Sequence, residues 1–269
     1  ISVSTSDGMI CIGGGDAQSH FKDVVRLSWD GHKLTHRSLE PLPRPLAFMT
    51  GVLHKNTVYV FGGIETPDSA QASNALFAME LGSASQGQTT GRWKTLLACP
   101  GPGRILGQAA SLDRHLLIAG GVGLARDVQG AVTRKFLTDV WLFDPDSESW
   151  TAAADLPRPI VAAPNPGLRL PGGAAFLSGD DGRFFGQSLE FKHPGFPAEV
   201  FSFQQKSNRW AQTTPFPKSV SVDTGPRHNA GNWPPVTTGG VAWRGRFVIA
   251  SGEIRPGIRS PKVYSVTIQ

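Results

Sequence analysis

An all-β fold, built from four-stranded units repeating about every fifty residues, is what this sequence predicts. Three observations predict it. A short apolar run ending in a glycine pair recurs along the chain, a tryptophan follows most of these pairs at nearly constant distance, and a proline-bearing turn follows each such tryptophan. Composition agrees. Of 269 residues, 32 are Gly and 21 are Pro, spread evenly between the apolar runs, which indicates many tight turns. No apolar run approaches the roughly 20 residues of a membrane-spanning helix, and helix-period segments are nearly absent, so collagen, coiled-coil and long-helix readings are excluded. With 7 Trp and 15 Phe, so is a wholly disordered chain.

The glycine-terminated runs are Ile10–Gly15, Val58–Gly63, Leu116–Gly121, Ala175–Asp180 and Phe247–Gly252, the last two keeping one glycine of the pair. Trp93, Trp150 and Trp210 lie 31, 30 and 31 residues beyond Gly62, Gly120 and Gly179. The turns that follow are Pro100–Arg104, Leu156–Pro159 and Phe216–Pro217. The first unit lacks the tryptophan but keeps Leu42–Pro45. Further β-like runs, such as Asp139–Phe143 before Asp144-Pro-Asp-Ser, complete four strands per unit. A glycine doublet, a tryptophan and four strands per unit are the pattern of a kelch-type β-propeller blade. The glycines end a strand where a side chain would strike the neighbouring blade, and the tryptophan packs between blades. One blade cannot bury both its faces, so neighbours are required.

Counting strands predicts complete blades at 1–38, 46–95, 105–152 and 160–213. The last unit supplies strands near Val236–Trp243, at Phe247–Ala250 and at Lys262–Ile268, and no fourth. An unpaired edge invites aggregation. The expectation is therefore a single domain over 1–269, about five blades of a propeller that is six-bladed when complete. An N-terminal segment would add one blade and the closing strand of the last. Cys11 and Cys99 have no metal-ligand spacing and read as buried free thiols, although one bridge between them stays open. Net charge is +5 with the basic residues scattered, the pattern of a solvated surface rather than of nucleic-acid binding, and compatible with a small anionic substrate.

Ser251-Gly-Glu-Ile-Arg-Pro-Gly-Ile-Arg-Ser260, set in this repeat context, resembles the bacterial cyclically permuted mutarotase family, relatives of N-acetylneuraminate epimerase. Met9–Asp16, Val58–Gly63, Trp93 with Pro100–Arg104, and Ser178–Gly182 match as well. The resemblance covers essentially the whole chain. It implies an isomerase that interconverts the α and β anomers of sialic acid, without metal or organic cofactor, in the periplasm or outside the cell. Its partner is a small sugar acid, not nucleic acid or membrane, and a homodimer is compatible with it. It also implies that Glu253 and Arg259 are the functional pair. Mutarotation of a 2-keto sugar opens and recloses the ring, so a carboxylate near the anomeric centre can carry the proton. Arginine pairs bidentately with the C1 carboxylate, and Pro256-Gly257 supplies a tight turn that brings Arg259 back toward Glu253.

By spacing alone, Glu253 and Arg259 equally read as an ion pair bracing their loop. Arg255, between them, reads as surface. The other loops that follow glycine pairs offer Asp16, Gln18 and His20, then Glu65, then Asp180, Asp181, Arg183 and Phe184, most of them turn-capping residues. Among these, His20 and Asp181 are the substrate-binding candidates. Arg44, Arg104 and Arg158 follow proline turns and read as structural arginines bonding backbone, with Arg104 the candidate for ligand contact. His228, Asn229 and Trp233 fall in the insertion Ser219–Pro235, either a lid or a surface loop. The competing function is a non-catalytic kelch module that binds protein or carbohydrate. A copper radical oxidase needs tyrosine ligands, and Tyr59 and Tyr264 both read as strand residues. No Gly-x-Ser-x-Gly elbow supports a hydrolase.

Overall fold

The computed structural model describes residues 1–82, 91–219 and 228–267. The first sheet holds β1 (Ser2–Thr5), β2 (Gly8–Ile12), β3 (Val24–Trp29) and β4 (Leu34–Ser38), in that order. The second holds β5 (Thr50–His54), β6 (Thr57–Phe61), β7 (Leu76–Glu80) and β8 (Lys94–Leu96), again in order. Next come β9 (Gln108–Ser111), β10 (Leu116–Ala119), a separate hairpin of β11 (Val122–Arg126) with β12 (Val132–Phe136), then β13 (Val140–Asp144) and β14 (Ser149–Ala153). The third sheet runs β14-β13-β10-β9. The fourth is β15 (Leu168–Leu170), β16 (Gly173–Leu177), β17 (Val200–Gln204) and β18 (Arg209–Gln212). The last comprises β19 (Gly240–Trp243), β20 (Arg246–Ala250) and β23 (Val263–Val266), with the hairpin of β21 (Glu253–Arg255) and β22 (Ile258–Arg259) between the latter two.

The predicted blades thus fall on four four-stranded antiparallel sheets and one of three strands. The expected run Lys262–Ile268 shortens to Val263–Val266, and Ile268 lies outside the described residues. The connections after the third and fifth glycine-terminated strands are themselves hairpins, and only the first of these was not expected. The first turns on Asp127, whose carboxylate accepts from the amides of Gln129 and Ala131. The cysteines are free, Cys99 buried and Cys11 only half-buried.

The chain divides into two compact units: Ile1–Gly107 with Val122–Lys135 and Phe143–Thr151, and Gln108–Gly121 with Phe136–Leu142 and Ala152–Gln269. In the first, Val3, Ile10, Ile12 and Val24 of the first blade pack on Val58, Val60, Phe77 and Met79 of the second. In the second, Ala110, Leu117, Ala119 and Val140 pack on Ala174, Phe176, Phe201 and Phe203. Another cluster there joins Ala175, Leu177 and Val200 to Phe247 and Ile249.

Each tryptophan ties its blade to the one before. The Nε1 of Trp93 donates to the Glu40 carbonyl at 2.9 Å, that of Trp150 to Leu97 at 2.8 Å, and that of Trp210 to Ala154 at 2.8 Å. Every acceptor lies just past the outer strand of the preceding blade. The ring itself packs apolar: Trp150 lies 6.0 Å from Phe61 and 4.9 Å from Phe143, centroid to centroid. In the first blade His36 stands where the tryptophan would be, opposite Leu27.

The glycine pairs serve the next loop. Gly14, Gly63 and Gly121 donate their amides to the carbonyls of Leu46, Arg104 and Ile160, each at 2.9 Å. A Cβ on the preceding glycine would lie 2.5, 2.5 and 2.4 Å from those same oxygens. In the degenerate pairs, Ser178 and Ser251 take the first position and keep its left-handed backbone, both with φ of 63°. Ser178 is fully buried, and its hydroxyl has no hydrogen-bond partner. A left-handed non-glycine residue costs about 1–2 kcal/mol and an unmet buried hydroxyl adds to this, while glycine returns about 0.4–1 kcal/mol to the unfolded chain. Ser178→Gly is therefore expected to stabilise by about 1 kcal/mol and raise Tm by roughly 2–4 °C. A melting curve that is unchanged or shifted down would show that the hydroxyl is useful where it is.

Candidate functional site

The residue that follows each glycine pair starts the connection to the next strand, and four of these residues make the same backbone bridge. In the first unit Ile64 bridges Ala47 and Val122 bridges Ile105. In the second Asp180 bridges Val161 and Glu253 bridges Val236. One residue past the far side of each bridge, Phe48, Leu106, Ala162 and Thr237 all hold left-handed backbone, with φ of 59°, 55°, 54° and 50°. Successive rungs are joined there, Leu106 N–H to the Phe48 carbonyl and Thr237 N–H to the Ala162 carbonyl, both at 2.7 Å. Ile64 and Val122 are buried, whereas the same repeat position carries carboxylates at Asp180 and Glu253. The fold thus sets two acids at equivalent places on adjoining rungs of the second unit.

Glu253 opens β21 and pairs in register with Arg259 of β22 across the Pro256-Gly257 turn. Gly257 has φ of 74°, the conformation that the second turn position requires after proline. The expected ion pair between the two side chains is replaced by a shared partner, the Thr237 hydroxyl. That hydroxyl donates to Oε2 of Glu253 at 3.2 Å and accepts from an Arg259 guanidinium nitrogen at 3.3 Å. The other terminal nitrogen of Arg259 donates to the Thr237 carbonyl at 3.0 Å. The Gly257 amide donates to Oε1 of Glu253 at 2.7 Å, and Asn229 donates to the Arg259 carbonyl at 3.1 Å. Arg259 is exposed and Glu253 half-buried, so both heads reach solvent.

Arg255 corrects its expected surface position: it is 6% exposed. Its guanidinium lies 4.7 Å from the Trp233 ring centroid and donates to the carbonyls of Phe191, at 2.9 Å, and His228. It anchors the hairpin to two non-repeating loops. Of the insertion Ser219–Pro235, residues 220–227 lie outside the described residues, and Trp233 is buried beneath the cations of Arg255 and Lys218. Nearby, His193 is buried and accepts from the Gly195 amide at 3.1 Å, which leaves its proton on Nε2. Burial holds its pKa below the ordinary histidine value, with the Asp180 carboxylate opposing.

The other expected site residues are placed as follows. Asp181 lies in the second unit, its carboxylate turned onto the Arg183 amide at 3.0 Å and guanidinium at 3.1 Å. Its neighbour Asp180, not Asp181, occupies the repeat position equivalent to Glu253. His20 and Arg104 lie in the first unit, both buried. His20 Nδ1 sits 3.0 Å from the Ile64 carbonyl, and Arg104 donates to the Pro102 carbonyl at 3.2 Å with Phe61 beneath it. They flank one glycine pair, since the Arg104 carbonyl also receives the Gly63 amide. Arg158 bonds backbone as expected, at Ser178, Gly179 and Pro159. Arg44 pairs with Glu65 at 2.8 Å. Thr237 was not foreseen. Its place, one residue past the bridge partner of a post-glycine position, is defined by the bridge and so is visible only in the structure. Among the described residues, no three His, Cys, Asp or Glu side chains converge as a metal-ligating group.

No protein-family model matches the chain. A stretch of 128 residues is 30% identical to Kelch repeat and BTB domain-containing protein 12 of Danio rerio, covering 46% of this chain. The chain spans only 20% of that relative's length. The solved structure of YjhT matches with a TM-score of 0.58 and 17% sequence identity, over 85% of this chain and 67% of YjhT. The two support a kelch-like family, and the structural likeness shows the fold: all-β, with the blades of a kelch-type β-propeller.

Proposed function

We propose that the chain is a carbohydrate isomerase of the cyclically permuted mutarotase type, which interconverts the α and β anomers of N-acetylneuraminate. The observation that carries the reading is the Glu253–Thr237–Arg259 arrangement: one solvent-reached hairpin presents a carboxylate and a guanidinium joined by a hydroxyl. Glu253 takes the proton of the anomeric hydroxyl as the bond from the anomeric carbon to the ring oxygen breaks. The ring oxygen gains a proton through water, and the open keto form recloses on either face. Among the described residues Oε2 of Glu253 accepts the Thr237 hydroxyl alone, which leaves a lone pair for the substrate. Arg259 pairs with the C1 carboxylate and so fixes the anomeric centre over the acid. Asp180, at the equivalent position on the adjoining rung, is the second acid for which this reading gives a role, beside the sequence candidate Asp181. Sialic acid is released outside cells, which suits a periplasmic or secreted enzyme.

The test is proton NMR of freshly released α-N-acetylneuraminate, with and without the intact protein. Exchange faster than the spontaneous rate is expected. Arg259→Lys keeps the charge and loses the fork, so KM should rise by the equivalent of roughly 1–3 kcal/mol with melting unchanged. An unaltered KM with a lowered Tm would make Arg259 a brace of the Thr237 loop.

A second reading, a non-catalytic kelch module, is favoured by one observation. Glu253 and Arg259 already hold partners within their own loops, as purely structural residues would. Exchange no faster than background would select it.

A further inference from the structure

The two non-repeating loops that Arg255 ties together carry more aromatic side chain than their packing consumes. Their inner layer is closed: Trp233, Phe196 and His193 are buried. The His193 ring lies 5.3 Å from that of Phe184 and 5.7 Å from that of Phe196, centroid to centroid. A Cβ on Gly195 would lie 2.5 Å from the Trp233 ring, so one loop presses its backbone directly on the indole of the other. Phe191 is the exception. It sits in a single helical turn, Glu190–Lys192, and is 56% exposed. Its ring stacks on His228, with centroids 3.8 Å apart and planes 26° from parallel.

This stack is mounted on the β21–β22 hairpin. Arg255, in the strand that Glu253 opens, donates to the carbonyls of both stacked residues, Phe191 and His228. Asn229, the residue after His228, donates to the carbonyl of Arg259. One strand of the hairpin therefore holds the backbone of each stacked residue, and the other holds their neighbour. Scattered phenylalanines on a surface need no explanation. An exposed ring stacked on a second one, held by a buried arginine and set beside a carboxylate and a guanidinium, has the composition of a ligand site: an apolar face with a few convergent polar groups. Because the mounting is buried, little ordering is left to be done when a ligand arrives.

We infer that the Phe191–His228 stack is the specificity-determining surface for the acetamido group of the sugar acid, with the Phe191 ring covering its methyl. The inference rests on the sialic acid reading above. N-acetylneuraminate offers hydroxyls, a carboxylate and a single methyl, and the methyl is the group that gains by leaving water for a hydrocarbon ring. The acetamido carbon stands across the pyranose from the anomeric carbon. With the anomeric end held by Glu253 and Arg259, the acetamido group therefore projects away from both side chains, toward what flanks the hairpin. A methyl taken out of water is worth about fourfold in affinity.

The test compares two sugars by titration calorimetry on the intact protein: N-acetylneuraminate, and the analogue with a hydroxyl in place of the acetamido group. The wild type is expected to prefer the N-acetyl sugar by at least about fourfold. Phe191→Ala should remove that preference, weakening the N-acetyl sugar at least about fourfold and leaving the analogue within about twofold. Its Tm should move by less than about 2 °C, since the lost side chain is exposed. Phe191→Trp, which keeps an aromatic face, should keep the preference. In saturation-transfer NMR the acetamido methyl should receive more saturation from the wild type than any other proton of the sugar, and lose that lead with Phe191→Ala. Equal affinity of the wild type for the two sugars, no binding of either, or a preference that survives Phe191→Ala overturns the inference. Equal affinities together with accelerated anomeric exchange would overturn it and leave the isomerase reading standing. A preference that depends on Phe191 without accelerated exchange would do the reverse.

Discussion

Glu253→Gln is expected to slow anomeric exchange by about 10²–10⁴-fold, the usual contribution of a general acid–base group. Gln retains an oxygen for the Gly257 amide and a polar head for the Thr237 hydroxyl, so the hairpin should keep its shape. What it loses is the ability to hold a proton near neutral pH. Sialic acid binding should change only modestly, and because the residue is only half-buried, stability should move by less than about 0.5 kcal/mol. Exchange is followed by NMR against the spontaneous rate at several pH values, since the background reaction depends on pH. Wild-type exchange in the Gln variant would reduce Glu253 to a brace of its turn. The proton carrier would then be sought at Asp180, the acid on the adjoining rung.

Gly120→Ala should be among the most damaging single-methyl additions in the chain. Gly120 has φ of 58°, and an added Cβ would lie 2.4 Å from the Ile160 carbonyl oxygen and 3.1 Å from Leu156 Cδ1. That oxygen already accepts the Gly121 amide at 2.9 Å, so it cannot retreat without breaking the bond. Left-handed backbone costs about 1–2 kcal/mol for alanine, and overpacking adds about 1–3 kcal/mol. The expected loss is about 2–5 kcal/mol, a fall in Tm of roughly 5–15 °C. Gly130→Ala separates the two terms. Gly130 has φ of 83° in the β11–β12 turn, with nothing within 4 Å of an added Cβ, so only the backbone cost applies there. Equal losses at both sites would mean that the glycine pair is kept for its backbone alone and not for the approach of the next loop.

The candidate site was legible only in part, and the boundary has a physical cause. The Glu253–Arg259 pairing could be read because it is local: a Pro-Gly turn of two residues sets the register of its own hairpin. Which aspartate starts the connection, Asp180 as the structure has it or Asp181, is not written in the string Ser-Gly-Asp-Asp-Gly, and a one-residue shift in extended chain reverses the side to which a residue points. Arg255 was misjudged for a related reason. It reads as surface between two site candidates, but its burial depends on Phe191 and Trp233, in loops outside the repeat.

By itself the sequence determined the strands and their grouping. Apolar alternation, glycine pairs and tryptophan spacing are short-range signals repeated often enough to confirm one another, and the four complete blades and the three-stranded last sheet fall where those signals put them. The tertiary structure alone decided which side chains meet. Thr237 joins Glu253 to Arg259 from 16 and 22 residues away because a left-handed turn, repeated at Phe48, Leu106 and Ala162, aims it there. That turn is imposed on ordinary residues by the bridges on either side, not by any local preference for it, so no residue pattern announces it. Backbone conformation forced by packing between distant segments leaves no mark in a sequence read along its length.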